Sequence, residues 1–270
     1  MTSGEFETNR RGAIGAMAAA GAMVASGVVQ TAEAQGAQKT FVLVHGAWHG
    51  GWCWRRVADR LSAKGHKVYA PTLTGLCDRS HLLTRDIDVS THATDIANLV
   101  KWEGLSDIVL VGHSYGGFVV TEVAERIAAS IASIVFLDAF LPAVGESLHD
   151  LASPVARKLF EEANANGEAV IKPIPAAAFN VNEKDRAWVD AQCTPQPIAT
   201  LLEKARGVTG REKIGKRTYI RAAAYNSVSF DAGLAKARAT PGWKTYEVPS
   251  GHDVMVDMPD RLVEILLEVA

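Results

Sequence analysis

Cysteine is scarce in this chain, and several motifs that indicate particular chemistries are missing from it. Only three cysteines, Cys53, Cys77 and Cys193, occur in 270 residues, and none of them forms a C-x-x-C pair. Neither H-E-x-x-H nor G-x-x-x-x-G-K-[ST] occurs. These absences argue against a metal site and against a nucleotide-binding phosphate loop. We expect all three thiols to be free; the alternative is a Cys53–Cys77 disulfide.

The chain also has no excess of charge of one sign. It contains 28 Lys and Arg and 30 Asp and Glu residues, for a formal net charge of −2, and no basic patch. Nucleic acid is therefore not an expected partner. With 48% hydrophobic residues, the length fits one large globular domain with a substantial core and an inserted subdomain.

The N-terminal residues do not fit the pattern of the rest. Arg10-Arg11 precede an apolar stretch over residues 13–29, and Ala32-Glu33-Ala34 offers small residues for cleavage. This pattern predicts a signal peptide over residues 1–34, of the twin-arginine type, and therefore a periplasmic or secreted protein. The alternatives are a membrane anchor or a disordered tail. A stretch this short and rich in Ala and Gly is a poor permanent span, so we expect no stable membrane association.

Beyond residue 35, short β-type apolar runs alternate with stretches of helical period. The alternation stops between residues 141 and 215, where Ala, Glu, Lys and Pro are frequent and a helical cap is predicted. Strands that alternate with helices predict an α/β fold, a mostly parallel sheet flanked by helices. The predicted core is therefore 35–140 and 216–270. Its predicted strands are 40–44, 67–70, 108–111, 131–137, 218–220 and 244–248.

Residues 112–116 read Gly-His-Ser-Tyr-Gly and directly follow the apolar run 108–111. The pattern G-x-S-x-G between a strand and a helix is typical of a sharp turn that presents a nucleophilic serine above the sheet. Small residues on both sides allow the backbone to bend that tightly. We therefore predict Ser114 as the nucleophile of a covalent mechanism.

A serine hydroxyl is a weak nucleophile and needs a base. His252 is the best candidate, because it follows the last predicted strand, and serine before histidine is the chain order of one triad fold. The imidazole in turn needs an acid that fixes its tautomer. We favour Asp138, which ends the strand after the serine helix. Asp231 is the alternative, although it lies inside a predicted helix near 231–238.

The tetrahedral intermediate of acyl transfer needs backbone N–H donors. Tyr115, directly after the nucleophile, and Ala47, in the glycine-rich loop 45–51, are the predicted oxyanion donors. Trp48 and His49 in the same loop are predicted to contact the substrate. The tryptophans crowded in this region favour an apolar or aromatic substrate.

The remaining histidines suggest structural roles. His45 and His49, four residues apart in a glycine-rich loop, are better explained as a hydrogen-bonding scaffold than as metal ligands. His113 is expected to face away from the serine and to be structural, and His66 and His92 are expected at the surface.

The sequence resembles the α/β-hydrolases, in particular the plant methylesterases and hydroxynitrile lyases and the bacterial esterases of the carbendazim-hydrolysing type. The resemblance covers about residues 40–150 and 217–268. It implies an α/β-hydrolase fold, a Ser-His-acid triad and ester hydrolysis without a cofactor. The segments that carry it are LVHGAWHGGW (43–52), LTGL (73–76), RSHL (79–82), GHSYGG (112–117), LDAFLP (137–142) and Gly251-His252.

Two departures from the plant members matter. Their triad acid follows the penultimate strand, at a position near Tyr225, where this chain has no carboxylate; this again favours Asp138. The lyases carry a threonine in place of Gly46 and a lysine in place of Asp253. We therefore expect a serine hydrolase that cleaves a small carboxylic ester, or a carbamate or amide, through an acyl-enzyme. A hydroxynitrile lyase-like C–C lyase and a non-catalytic small-molecule receptor are the alternatives.

Overall fold

A single parallel sheet forms the centre of the protein, in a computed structural model that describes residues 37–270. Six strands pair in the order β2-β1-β3-β4-β7-β8, every pair parallel. This confirms the predicted α/β fold with a mostly parallel sheet. A short antiparallel pair, β5 and β6, stands apart from it. The strands are β1 (Thr40–Val44), β2 (Lys67–Tyr69), β3 (Ile108–His113), β4 (Ile131–Leu137), β5 (Val170–Ile171), β6 (Gln196–Pro197), β7 (Lys216–Ala222) and β8 (Trp243–Val248).

Helices fill the connections between the strands. Four short segments form 3₁₀-helices: Gly51–Trp54, Cys77–Leu82, Ala128–Ser130 and Ala176–Phe179. The α-helices are α1 (Arg55–Ala63), α2 (Val89–Trp102), α3 (Gly116–Ile127), α4 (Leu148–Leu151), α5 (Pro154–Ala165), α6 (Glu183–Gln192), α7 (Ala199–Leu202), α8 (Thr209–Lys213), α9 (Val228–Ala239), α10 (Val254–Asp257) and α11 (Pro259–Val269).

The inner strands are apolar because both faces of the sheet are covered. Every residue of β3 is buried, and β4 is buried at all positions except Ala132. Continuous burial of this kind is expected for strands of a parallel sheet between layers of helices. Because all strands run the same way, the carboxyl ends of β1, β3, β4, β7 and β8 meet at one edge, where reactive groups can gather.

Helix α2 begins earlier than the sequence suggests. Serine is a favoured N-cap residue, so the sequence predicts Ser90 as the start of this helix. Asp88 has that role instead: its Oδ1 accepts from the Thr91 backbone N–H at 2.7 Å, and the Thr91 hydroxyl completes a capping box. A carboxylate at the N-cap satisfies backbone donors that have no partner within the helix. Ser90 therefore lies inside the first turn.

The chain between β4 and β7 holds helices α4–α8 and the β5–β6 pair. One strong link ties this insertion to the core: Arg56 of α1 donates two hydrogen bonds, of 2.8 and 2.7 Å, to the carboxylate of Asp185 in α6. The same guanidinium also donates to the carbonyl of Val256 at 2.8 Å. A two-bond guanidinium–carboxylate contact fixes orientation as well as distance.

The predicted signal peptide, residues 1–34, lies outside the described residues. Within residues 37–270, no helix combines the length and hydropathy that a membrane span requires. Cys53, Cys77 and Cys193 are free thiols, without the Cys53–Cys77 disulfide.

Candidate active site

Ser114 lies on the turn between β3 and α3 in a strained backbone conformation. Its φ is +53°, a region that L-amino acids other than Asn and Asp adopt rarely. The surrounding backbone holds it there. The Ser114 N–H donates to the Leu137 carbonyl at 3.2 Å, and the Ser114 carbonyl accepts from Gly117 and Phe140, each at 3.1 Å. The position of Ser114 is therefore fixed by β4 and by the segment after it.

The two glycines of the G-x-S-x-G motif are required by close backbone approach. A Cβ on Gly112 would lie 2.6 Å from the Gly116 carbonyl oxygen, and a Cβ on Gly116 would lie 2.9 Å from the carbonyl oxygen of His45. Real Cβ atoms do not approach backbone oxygens this closely, so the turn cannot form with larger residues unless the chain shifts. The sequence motif thus reflects how tightly the turn packs against the loop after β1.

His252 follows β8 and is paired with Asp138, which follows β4. The His252 Nδ1–H donates to Asp138 Oδ2 at 2.6 Å, and both side chains are buried. This contact leaves Nε2 as the nitrogen available for proton transfer. The backbone N–H of His252 donates to the Phe179 carbonyl at 2.9 Å. Asp138 itself has a φ of +40°, a second strained position at this edge of the sheet.

Asp231, the alternative acid, does not contact His252. Its Oδ1 accepts from the Nε of Arg221 at 2.9 Å, and 65% of its side chain is exposed. The buried Arg221 also donates to Asp138 Oδ1 at 2.8 Å. Burial opposes the charge of Arg221, but the carboxylates of Asp138 and Asp231 raise its pKa. Arg221 therefore stands between the two acids, and Asp138 alone is the partner of His252.

Aromatic rings surround the His252 imidazole. Phe230 stacks parallel to it, with ring centroids 5.0 Å apart and an interplanar angle of 9°. Tyr225 lies at 4.9 Å and Phe179 at 5.3 Å from the same ring. These rings limit the ways in which the imidazole can turn and exclude water from its faces.

The loop after β1 passes directly beside Ser114. A Cβ on Gly46 would lie 2.9 Å from the Cβ of Ser114. Ala47, the next residue, and Tyr115 both line the cavity in which Ser114 lies. Backbone N–H donors at these two positions are where an oxyanion hole is expected next to such a serine.

Trp48 also lines this cavity, and its contact with the substrate stays a prediction. Its backbone φ is +65°. Its backbone N–H donates to Gln196 Oε1 at 2.9 Å and its indole N–H to the Ile171 carbonyl at 3.1 Å. Both donors are therefore used to fix the ring, which leaves Trp48 an apolar surface to offer a ligand.

His49 does not line the cavity. This corrects the prediction that its side chain contacts the substrate. The residue is 2% exposed, and its ring stacks on Trp52 with centroids 5.2 Å apart. Nδ1 donates to the Ala47 carbonyl at 2.8 Å, and Nε2 donates to Asp253 Oδ2 at 3.1 Å. With both nitrogens and one face occupied, the ring serves the hydrogen-bonding scaffold and does not face the cavity.

His45 and His113 are buried neutral rings. His45 Nδ1 donates to the Gly46 carbonyl at 2.8 Å while Nε2 accepts from the Leu73 N–H at 3.0 Å, and burial lowers its pKa to about 3. His113 Nε2 donates to the His252 carbonyl at 3.0 Å, and burial lowers the pKa of His113 well below its usual value. The expected structural role of His113 thus includes support of the His252 backbone.

His92 is buried, which overturns its expected surface position. Its Nε2 donates to the Thr74 carbonyl and its Nδ1 accepts from the Tyr115 hydroxyl, each at 2.9 Å. Burial lowers its pKa to about 4. The helical spacing of His92 with Ile96 and Val100, four residues apart along α2, was a signal that this residue lies on the buried face.

Three buried side chains near the site, His113, His252 and Asp253, are close enough for their ligand atoms to share one ion. Two of the four ring nitrogens are already hydrogen-bonded. His252 Nδ1 faces Asp138, His113 Nε2 faces the His252 carbonyl, and His113 Nδ1 lies 2.9 Å from where a Gly46 Cβ would stand. An ion bound through His252 Nδ1 or His113 Nε2 would have to displace these hydrogen bonds.

The cavity around Ser114 and His252 has a volume of about 790 Å³. Most of its wall is apolar, and the insertion between β4 and β7 supplies much of that wall. The charged groups on the wall, Asp150 and Arg157, both come from this insertion. A pocket of this size and character suits a small apolar molecule. Its aromatic lining residues are Trp48, Tyr115, Phe140, Phe160, Phe179, Tyr225 and Phe230.

The sheet order, the strained serine turn and the buried His-Asp pair together define an enzyme of the α/β-hydrolase class. Comparison with known proteins agrees. The model of the family described as "Alpha/beta hydrolase family" matches residues 41–265, and the chain belongs to that family.

Among curated relatives, the chain is 42% identical to the carbendazim hydrolyzing esterase of Nocardioides sp. (strain SG-4G) over 238 residues, 84% of this chain and 97% of the relative. It is 26% identical to methylesterase 10 of Arabidopsis thaliana, over 85% of this chain and 91% of the relative. An extracellular α/β-hydrolase from a Paenibacillus species has the same fold, with a TM-score of 0.76 at 24% identity, over 86% of this chain and 99% of that one. The protein is thus an esterase-type hydrolase of this family.

Proposed function

We propose that this protein is a serine esterase that cleaves a small, neutral, apolar or aromatic carboxylic ester through an acyl-enzyme. The observation that carries the proposal is the strained turn that presents Ser114 to the same cavity as His252, whose other nitrogen is held by Asp138 at 2.6 Å. The esterase relatives support the reaction class.

The proposed reaction follows from that arrangement. Ser114 Oγ attacks the ester carbonyl while His252 Nε2 takes its proton, and the carboxylate of Asp138 stabilises the imidazolium that forms. The N–H groups of Ala47 and Tyr115 stabilise the negative oxygen of the tetrahedral intermediate. His252 then protonates the leaving alcohol. A water molecule, activated by the same imidazole, cleaves the acyl-enzyme and releases the acid.

The lining of the cavity supports the substrate class. Many of the lining residues are aromatic. The charged lining residues, Asp150 and Arg157, belong to the insertion between β4 and β7. Burying an unpaired charge against aromatic walls costs several kcal/mol, so a neutral substrate is favoured over a free carboxylate. Because one relative is a carbendazim hydrolyzing esterase, we include carbendazim and similar nitrogen heteroaromatic compounds in the substrate screen.

A fluorophosphonate probe tests the nucleophile. Covalent labelling at Ser114, lost in Ser114→Ala and confirmed by peptide mass spectrometry, is the expected result. A folded protein that binds aromatic esters without being labelled would instead be a receptor. Cleavage of cyanohydrins in preference to esters would indicate a lyase, against which Gly46 and Asp253 argue.

A panel of esters graded by acyl and alcohol size tests the substrate. We expect the highest kcat/KM for uncharged aromatic esters and a large loss when a carboxylate is added to the same ring. Carbamates and anilides of the same aromatic groups, measured in parallel, determine whether the reaction extends beyond esters.

A further inference from the structure

His49 and Asp253 form a buried pair behind the catalytic cavity. Asp253 has no exposed surface, and His49 is 2% exposed. His49 Nε2 lies 3.1 Å from Asp253 Oδ2, and its Nδ1 lies 2.8 Å from the Ala47 carbonyl oxygen. Neither residue has a role in the reaction as proposed above.

The two contacts determine the protonation of the ring. A carbonyl oxygen and a carboxylate oxygen only accept hydrogen bonds, so both nitrogens of His49 must carry a proton. The ring is therefore an imidazolium beside a carboxylate. Burial disfavours this charge, but Asp253 and the Ala47 carbonyl outweigh it and raise the pKa of His49. The imidazolium in turn lowers the pKa of Asp253 against the effect of its burial.

The pair connects two loops that carry opposite halves of the site. Ala47 belongs to the loop after β1 and lines the cavity beside Ser114. Asp253 is the residue directly after His252, in the loop after β8. Strands β3, β4 and β7 separate β1 from β8 in the sheet. The imidazolium of His49 is the hydrogen-bonded link between these loops.

We propose that His49 and Asp253 are positioning residues for ester hydrolysis, which hold the oxyanion donor Ala47 in register with His252 only while His49 is protonated. The inference rests on the proposed function and adds a proton requirement that the triad does not contain. When His49 loses a proton, one of its two acceptors faces a bare nitrogen, and the link between the loops breaks.

Several other titratable groups lie near the pair. Beside Asp253 are His113, which is neutral, and His252. Burial raises the pKa values of Cys53, Cys193 and Tyr225, and each is raised further by the negative charge of Asp253. Asp257, half-buried, also has a raised pKa. Because the thiols and the phenol keep their protons well above neutrality, they do not explain a fall in kcat at moderately alkaline pH.

Two substitutions of Asp253 separate charge from hydrogen bonding. The amide of asparagine can donate an N–H to His49 Nε2. A neutral His49 ring with its proton on Nδ1 then keeps its hydrogen bonds to residue 253 and to the Ala47 carbonyl. We expect Asp253→Asn to retain most of kcat and to lack the alkaline fall in kcat that wild type shows. Asp253→Ala removes the contact, and we expect kcat to fall about 10²-fold with KM within about twofold, because the cavity wall is unchanged.

Asp260→Asn and Asp260→Ala are the matched controls, since Asp260 is 79% exposed and pairs only with Arg60 at the surface. They should behave as wild type at every pH. The proposal is overturned if Asp253→Ala keeps the wild-type kcat, or if Asp253→Asn and wild type fall identically at alkaline pH.

A spectroscopic measurement tests the inference with both His49 and Asp253 in place. In ¹⁵N-histidine spectra at neutral pH, in a His149→Gln background that removes the surface histidine paired with Glu161, we expect the His49 ring to be doubly protonated. If the His49 ring is neutral there, the inference fails. Fluorophosphonate labelling of the same sample separates the two claims, because a labelled Ser114 with a neutral His49 leaves the esterase proposal intact.

Discussion

Arg221 and His252 bind opposite oxygens of one buried carboxylate. Arg221 Nη1 donates to Asp138 Oδ1 at 2.8 Å, and His252 Nδ1 donates to Oδ2 at 2.6 Å. The backbone N–H of Ala222 adds a third donor to Oδ1, at 3.0 Å. The carboxylate is thus fully hydrogen-bonded and held rigidly, but part of its charge is shared with a cation that does not take part in proton transfer.

Replacement of Arg221 by methionine should change how kcat/KM depends on pH. The guanidinium disfavours a positive imidazolium nearby, so its loss moves the acid limb of the kcat/KM profile to higher pH. Arg221→Lys, which keeps the charge, should move that limb less. Because Asp138 would lose a buried partner, denaturant unfolding should show a loss of about 3 kcal/mol or more in the methionine variant. An unchanged pH profile would contradict this account of Arg221.

The nucleophile and the base should each be indispensable. We expect Ser114→Ala and His252→Ala to lower kcat by about 10³-fold or more, because triad members act as a unit. Initial rates on the best aromatic ester, with circular dichroism to verify folding, provide the test. Turnover near the wild-type level in either folded variant would exclude the serine-esterase mechanism.

The choice between the two acids has a direct test. Asp138→Asn should cost on the order of 10²- to 10⁴-fold in kcat, because an amide cannot stabilise the imidazolium and favours the wrong tautomer. Asp231→Asn should change kcat by less than about threefold, since it removes only a surface-exposed contact with Arg221. If Asp231→Asn lowers kcat more than Asp138→Asn does, the catalytic acid is Asp231, in the segment after β7.

Stability should fall in mild acid because of the buried neutral histidines. The folded-state pKa of His92 is about 4, below the usual value of 6.5, so the unfolded chain binds more protons between those values. The free energy of unfolding therefore decreases as the pH falls through that window, by up to about 1.4 kcal/mol per pH unit for each such residue. His92→Gln should flatten this dependence in urea titrations from pH 6.5 to 4. The exposed-site variant His81→Gln should not, and equal slopes for the two would contradict the prediction.

Export through the twin-arginine route stays a prediction from the sequence. Replacement of Arg10-Arg11 by two lysines should leave the protein in the cytoplasm, because that route recognises the arginine pair. In the native host, N-terminal sequencing of the exported protein should begin near Gln35. An intact Met1 on periplasmic protein would rule out cleavage.

The sheet and the candidate nucleophile could be predicted because both depend on local patterns. Strand β3 is a continuous apolar run, and the glycines around Ser114 are required by the turn itself. Asp138 could be proposed because the ends of neighbouring parallel strands meet at one edge. The role of Asp253 could not, because its contact with His49 spans 204 positions of the chain. Arg221 likewise meets Asp138 across 83 positions, and nothing in the local sequence marks either pair.

The contact of Phe179 with His252 limits how freely the insertion between β4 and β7 can be exchanged. The Phe179 carbonyl accepts from the His252 backbone N–H at 2.9 Å, and its ring lies 5.3 Å from the imidazole. The part of the insertion within residues 148–160 lines the binding cavity and could be grafted from one relative to another to alter selectivity. A chimaera that discards the turn at residues 176–180 would lose a support of His252. A graft therefore has to keep that turn and be joined to the chain on either side of it.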